Sequence, residues 1–72
     1  MREKEVLEVI DQMYVDEERP AVNISEVRER ASMSGSEFAQ AVLSLRGSGD
    51  LATDETGLIT SAEYSHLYKP NG

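Results

Sequence analysis

The stretch SGSEFAQAVLSLR, Ser34–Arg46, decides the fold that the sequence predicts. Its apolar residues recur at i, i+3, i+4 and i+7, the spacing of one face of an α-helix, and they are Phe38, Ala41, Val42 and Leu45. Ser34 followed three residues later by Glu37 is a capping box, which favours a helix start. The glycines in Gly47–Gly49 predict its end. We therefore expect a helix that buries this apolar face.

The opposite side of the same helix carries small or polar side chains. At about 100° per residue, Ser36, Gln40 and Leu43 point away from the apolar face, and Ala39 and Ser44 lie beside them. Such a surface is available to a partner.

The composition limits the possible functions. The 72 residues suit one small domain with a thin core. Seven basic and fourteen acidic residues give a net charge of −7, which works against binding to nucleic acid. The acid excess is equally explained as a means of keeping a small protein in solution. No cysteine is present, which excludes disulfides and thiolate catalysis. Without a signal-like or membrane-spanning stretch, we expect a cytoplasmic protein.

Two further helices precede the central one. Glu3–Val15 predicts the first, with an apolar side that includes Val6, Ile10 and Met13. Asn23 and Glu26 form a second capping box, which predicts a helix whose core residues are Ile24 and Val27. Ser32–Ser34 is a tight turn into the third helix. We expect the apolar sides of all three helices to form one core.

The period changes to alternation after Gly49. Leu51–Thr53 and Leu58–Thr60 are β-prone, and the polar turn Asp54–Gly57 between them predicts a hairpin with positive φ at Gly57. A third capping box at Thr60–Glu63 opens a last short helix, whose apolar side is Tyr64, Leu67 and Tyr68.

Catalytic chemistry has little support in the sequence. There is one histidine, His66, no cysteine and no glycine-rich phosphate loop before a helix. The acidic run Asp16–Glu18 lacks the ligand spacing of a calcium loop. We therefore expect no catalytic residue, no metal, no cofactor and no enzyme.

This order of elements resembles the winged helix-turn-helix domain of small prokaryotic transcriptional regulators, such as the MarR-like and ArsR-like groups. The resemblance covers about residues 1–68 and rests on Asn23–Ala31, the turn Ser32–Ser34, the helix Phe38–Leu45, and Gly49–Leu51 and Leu58–Thr60 as entry to and exit from the wing. It implies a mostly helical α+β fold: a three-helix core, a two-stranded β-hairpin wing and a short C-terminal helix. Residues 69–72 are expected to be a disordered tail.

The same resemblance implies a site on the third helix. The positions that would contact double-stranded DNA or another partner are Gly35, Ser36, Ala39, Gln40, Leu43 and Ser44, and those that would contact phosphates are Arg28, Arg30 and Arg46. The sequence departs from the family pattern because Ser34–Thr60 holds one arginine against four carboxylates.

Two functions therefore stay open. One is a DNA-binding regulator. The other is a protein-interaction module that uses the uncharged surface around Leu43. A homodimer is also expected, through apolar residues of the first and last helices, which are Leu7, Tyr14, Tyr64, Leu67 and Tyr68.

Overall fold

A computed structural model describes residues 2–61 and Tyr64. Three α-helices follow one another, α1 (Glu3–Asp11), α2 (Ile24–Arg30) and α3 (Gly35–Ser48). A π-helical turn, Gln12–Asp16, continues α1 without interruption. All three predicted helices are thus confirmed. Beyond Thr60 and Ser61, at its start, the predicted last helix lies outside the described residues except for Tyr64, and the predicted disordered tail lies wholly outside them.

The predicted α+β winged fold is wrong. Residues 2–61 contain no β-strand, and in place of a two-stranded wing the chain after α3 makes two isolated antiparallel bridges. One bridge pairs Thr53 with Ile59, and the other pairs Leu58 with Asn23, which precedes α2. The protein is therefore a small helical domain over the part of the chain that the structure describes.

Competing hydrogen bonds explain the missing wing. The Leu58 N–H donates to the Asp54 carboxylate at 3.0 Å, and the Ile59 N–H donates to the Val22 carbonyl oxygen at 3.0 Å. The arms do form two cross-arm bonds, from the Asp54 N–H to the Leu58 carbonyl oxygen at 2.9 Å and from the Thr60 N–H to the Ala52 carbonyl oxygen at 2.8 Å. The Leu58 N–H would be the next donor of a regular ladder, whereas the Ile59 N–H points away from the other arm. Because the Asp54 side chain takes the Leu58 N–H, pairing between the arms stays limited to the isolated Thr53–Ile59 bridge.

The predicted turn at the tip does form. Gly57 has φ of 89°, so its positive φ is confirmed. A Cβ atom at Gly57 would lie 3.1 Å from Asn23 Oδ1, which is tighter than ordinary contact. The turn is therefore packed against the start of α2.

Side-chain caps start the second and third helices. Asn23 Oδ1 accepts from the Ser25 N–H at 3.0 Å, and Glu26 returns the bond to the Asn23 N–H at 3.0 Å. Ser34 Oγ accepts from the Glu37 N–H at 3.2 Å in the same way. Both capping boxes are confirmed, so these starts follow from local sequence alone.

The core lies between the inner faces of the helices. α3 contributes Phe38, Ala41 and Leu45, which are buried as predicted, while Val42 is half-buried. The other buried apolar residues come from α1, the π-helical turn, α2 and the connecting segments: Val6, Ile10, Met13, Tyr14, Val22, Val27, Ala31, Leu51, Ile59 and Tyr64. Among the helices that the structure describes, none has the length and apolarity that crossing a bilayer requires.

Candidate functional site

The outward face of α3 has one charged residue, Arg46, at its edge. Ser36, Ala39, Gln40 and Gly47 are exposed and lie within about 60° of Leu43 around the helix axis, and exposed Arg46 lies at the same limit on the side opposite Gln40. Leu43 itself is 66% exposed, and the one other exposed large apolar side chain among the described residues is Val15, at 53%. We call these five residues of α3, which are Ser36, Ala39, Gln40, Leu43 and Gly47, the outward face.

Ser44 does not belong to this face. It is half-buried, and its hydroxyl donates to Glu3 Oε2 at 2.8 Å. The bond ties α3 to α1, so of the six predicted contact residues Ser44 is the one that the fold uses internally. Gly35, at the first position of α3, is exposed at the edge of the face.

Arg28 reaches from α2 to the start of α3. A Cβ atom at Gly35 would lie 3.1 Å from Arg28 Nη2, so the guanidinium lies against the first turn of α3. Arg28 is exposed and makes no salt bridge with any described residue. The spacing of residues in the sequence did not predict this contact. Gly35 permits it, because glycine has no side chain to occupy the space of the guanidinium.

Arg46 lies at the other end of the same edge. Gly35, Ala39 and Arg46 fall on one side of Leu43 around the helix, and eleven residues separate Gly35 from Arg46, about 16 Å along the axis. The Arg46 guanidinium donates to the Thr53 hydroxyl and, within the described part of the chain, forms no ion pair. Two arginines without carboxylate partners among the described residues therefore lie along one edge of the outward face.

Arg30 has a different environment. It forms an ion pair with Glu17 just beyond the π-helical turn, and Arg19 pairs with Glu26 at 2.6 Å. These two pairs tie α2 to the segment that precedes it. Arg30 is thus less available for a phosphate than Arg28 or Arg46.

Two carboxylates near α3 carry intramolecular hydrogen bonds. The pKa of Glu37 is lowered by the Ser34 N–H and further by Arg2, whose Nη1 lies 3.7 Å from Glu37 Oε2. The pKa of Asp54 is lowered by the Thr56 hydroxyl and by the Leu58 N–H. Both groups are therefore ionised at neutral pH, but neither belongs to the outward face.

Of the aromatic residues predicted for self-association, the two that the structure describes are buried. Tyr14 and Tyr64 stack with ring centroids 4.9 Å apart, and both lie in the core. Leu7 is half-buried, and Leu67 and Tyr68 lie outside the described residues. This surface therefore offers a second copy less apolar area than the sequence predicted.

Within residues 2–61 and Tyr64, acidic and histidine side chains form no group of three that could hold a metal ion.

Comparison with protein-family models, with curated proteins and with solved structures gave no match. The outward face of α3 with its two flanking arginines is accordingly the best-defined candidate site on the described surface.

Proposed function

We propose that the protein is a small DNA-binding regulator that presents the outward face of α3 to the major groove. One observation carries the proposal: along one edge of an uncharged helical face lie Arg28 and Arg46, which have no carboxylate partner among the described residues. The major groove admits one α-helix, and arginines along one edge of such a helix are suited to the phosphates of the strand on that side.

The chemistry of the outward face supports contact with bases. Gln40 offers an amide and Ser36 a hydroxyl, both of which bond to base edges. The small side chains of Ala39 and Gly47 allow the helix backbone to come close to the groove. No charge in this face has to be desolvated on binding.

The distribution of acid also supports the proposal. α1 packs on the buried side of α3, so its exposed Glu8 and Asp11 lie away from the outward face. Glu55 is exposed in the turn after α3, nearer in sequence to the outward face than Glu8 and Asp11 are, and its carboxylate should repel a phosphate. The net charge of −7 therefore weakens association at long range, and Glu37, which is exposed on α3 and lines the same surface depression as Gln40, is the carboxylate that borders the face.

The test is a titration of mixed-sequence duplex DNA at two salt concentrations. Arg28→Gln and Arg46→Gln should each weaken binding to all sequences alike and flatten the log–log salt slope by about 0.9. Lys4→Gln is the matched control, because it removes the same charge from an exposed position on α1. Duplex binding that both arginine variants leave unchanged would refute the proposal.

A protein-interaction module is the second candidate, favoured by the 66% exposure of Leu43. An exposed leucine on an uncharged helix face is also suited to a partner helix. In that case no duplex should bind near physiological salt. Leu43→Glu should abolish capture of a protein partner while the fold persists, and Val15→Glu, at the other exposed apolar residue, should not.

A further inference from the structure

We infer that the outward face of α3 reads A·T base pairs, through Gln40 to adenine and Leu43 to the thymine methyl group. The inference rests on the proposed DNA-binding function and deepens it by naming the class of sequence. The evidence for it is the length of the side chains on the face, the hydrogen bonds and apolar contacts that they can form, and the lack of a residue suited to guanine.

Gln40 and Leu43 are the longest side chains of the outward face. Their neighbours on it are a serine, an alanine and a glycine, Ser36, Ala39 and Gly47. A helix that enters a groove with this face forward brings the two long side chains to the base edges first. They therefore decide which bases fit.

The amide of Gln40 is available for a base. It is exposed and makes no hydrogen bond to another described residue. A free glutamine amide combines a donor and an acceptor, and the adenine edge in the major groove offers the complementary acceptor N7 and donor N6. Gln40 is thus suited to a bidentate adenine contact.

Leu43 is suited to thymine, the other base of an A·T pair. Thymine carries a C5-methyl group in the major groove, and apolar side chains contact it. An exposed leucine, with Ala39 next to it on the face, gives that methyl group an apolar surface to cover.

Guanine has no matching reader on this face. The commonest specific contact to guanine is a bidentate arginine or lysine. Arg46 is as near to Leu43 around the helix axis as Gln40 is, but its guanidinium is held to the Thr53 hydroxyl, and Arg28 lies against Gly35 at the edge. The face therefore favours A·T over G·C.

The experiment begins with selection from a pool of random 20-base-pair duplexes at low salt. The selected sequences should share a short A·T core. In the best duplex, thymine is then replaced by deoxyuracil, which removes the C5-methyl group and keeps base pairing. This should weaken binding about fourfold per contacted methyl group.

Variants of Gln40 and Leu43 show which residue is responsible for each base preference. Leu43→Ala should abolish the sensitivity to deoxyuracil, and Gln40→Ala should reduce the preference for adenine at one position by about tenfold. The matched controls are Val15→Ala and Gln12→Ala, the same changes at exposed residues of the π-helical turn. Both controls should behave as the parent does.

The outcomes separate the inference from the function on which it rests. Binding to a G·C core, or binding that deoxyuracil does not weaken, would overturn the inference and leave the DNA-binding function standing. No measurable binding to any duplex at low salt would overturn both.

Discussion

Tyr14 joins distant parts of the chain through one hydroxyl group. The Val22 N–H donates to the Tyr14 hydroxyl at 3.2 Å, and this hydroxyl donates to the Ile59 carbonyl oxygen at 3.2 Å. The ring stacks on Tyr64. A residue that the sequence assigned to a dimer surface thus holds the connector before α2 against the segment after α3.

Removing that hydroxyl should destabilise the protein. Tyr14→Phe keeps the ring and its stacking but deprives the buried backbone groups of Val22 and Ile59 of a partner, which should cost about 1–3 kcal/mol. Urea denaturation measures the change. The control is Val15→Ala at the exposed neighbour, expected to stay within about 0.5 kcal/mol. Equal urea midpoints for Tyr14→Phe and the parent would show that the hydroxyl contributes nothing.

At the scale of the element, α3 is longer than its sequence predicts. The helix continues through Gly47 to Ser48 and is ended by Gly49, which has φ of 85°. A left-handed residue at this position is a common helix end. The first glycine of Gly47–Gly49 is thus inside the helix, and only the second one ends it.

The two glycines should therefore respond to alanine with opposite signs. Gly47→Ala should stabilise the protein by about 0.5–1 kcal/mol, because alanine loses less entropy in a helix and a Cβ atom there meets nothing within 4 Å. Gly49→Ala is the matched change, also without steric contact, and should destabilise by about 1–2 kcal/mol because of its positive φ. Thermal unfolding measures both. A destabilising Gly47→Ala would place the end of the helix at Arg46, as the sequence predicted.

Across the whole molecule, carboxylates with lowered pKa values accept hydrogen bonds at the starts of helices and in a turn, and so stabilise these parts of the fold. The pKa of Glu26 lies below its ordinary value, first because the Asn23 N–H donates to it and then because Arg19 does. Glu37 and Asp54 are held in the same direction by their own hydrogen bonds. The charged forms of these groups therefore stabilise the folded state.

Acid should remove this stabilisation in a defined range. A carboxylate whose pKa is lowered by folding stabilises fully above its unfolded pKa, and the contribution disappears as the pH falls through the folded value. For Glu26 the loss therefore begins near its ordinary value of 4.5 and continues below it.

Glu26→Gln tests this, because glutamine keeps the capping hydrogen bond and removes the charge. The variant should be less stable than the parent at pH 7, and the difference should shrink as the pH falls below 4.5. Thermal unfolding as a function of pH measures it. Glu29→Gln, an exposed change on the same helix without an ion pair among the described residues, is the control and should match the parent throughout. A Glu26→Gln deficit of the same size at pH 3 and pH 7 would rule out the charge as its cause.

Features that depend on near neighbours follow from the amino-acid sequence alone. The starts of α2 and α3 follow from capping boxes that need only residues i and i+3, and the buried face of α3 follows from helical periodicity. The positive φ of Gly57 follows from its place in a short polar turn. The exposed residues of the candidate site, such as Gln40 and Leu43, were predicted for the same reason, since they lie opposite a recognisable core face.

Features that depend on competition for hydrogen bonds and charges could be assigned only in the folded chain. Whether Leu51–Thr60 becomes a wing depends on the Asp54 side chain, which takes the Leu58 N–H that a ladder needs, and the Ile59 N–H bonds to the distant Val22 carbonyl oxygen. Which arginine is available to bind a phosphate likewise depends on whether folding brings a carboxylate to it, as it brings Glu17 to Arg30. A single sequence carries no signal for such pairings, because each bond is formed by whichever group the packing of the helices brings within about 3 Å.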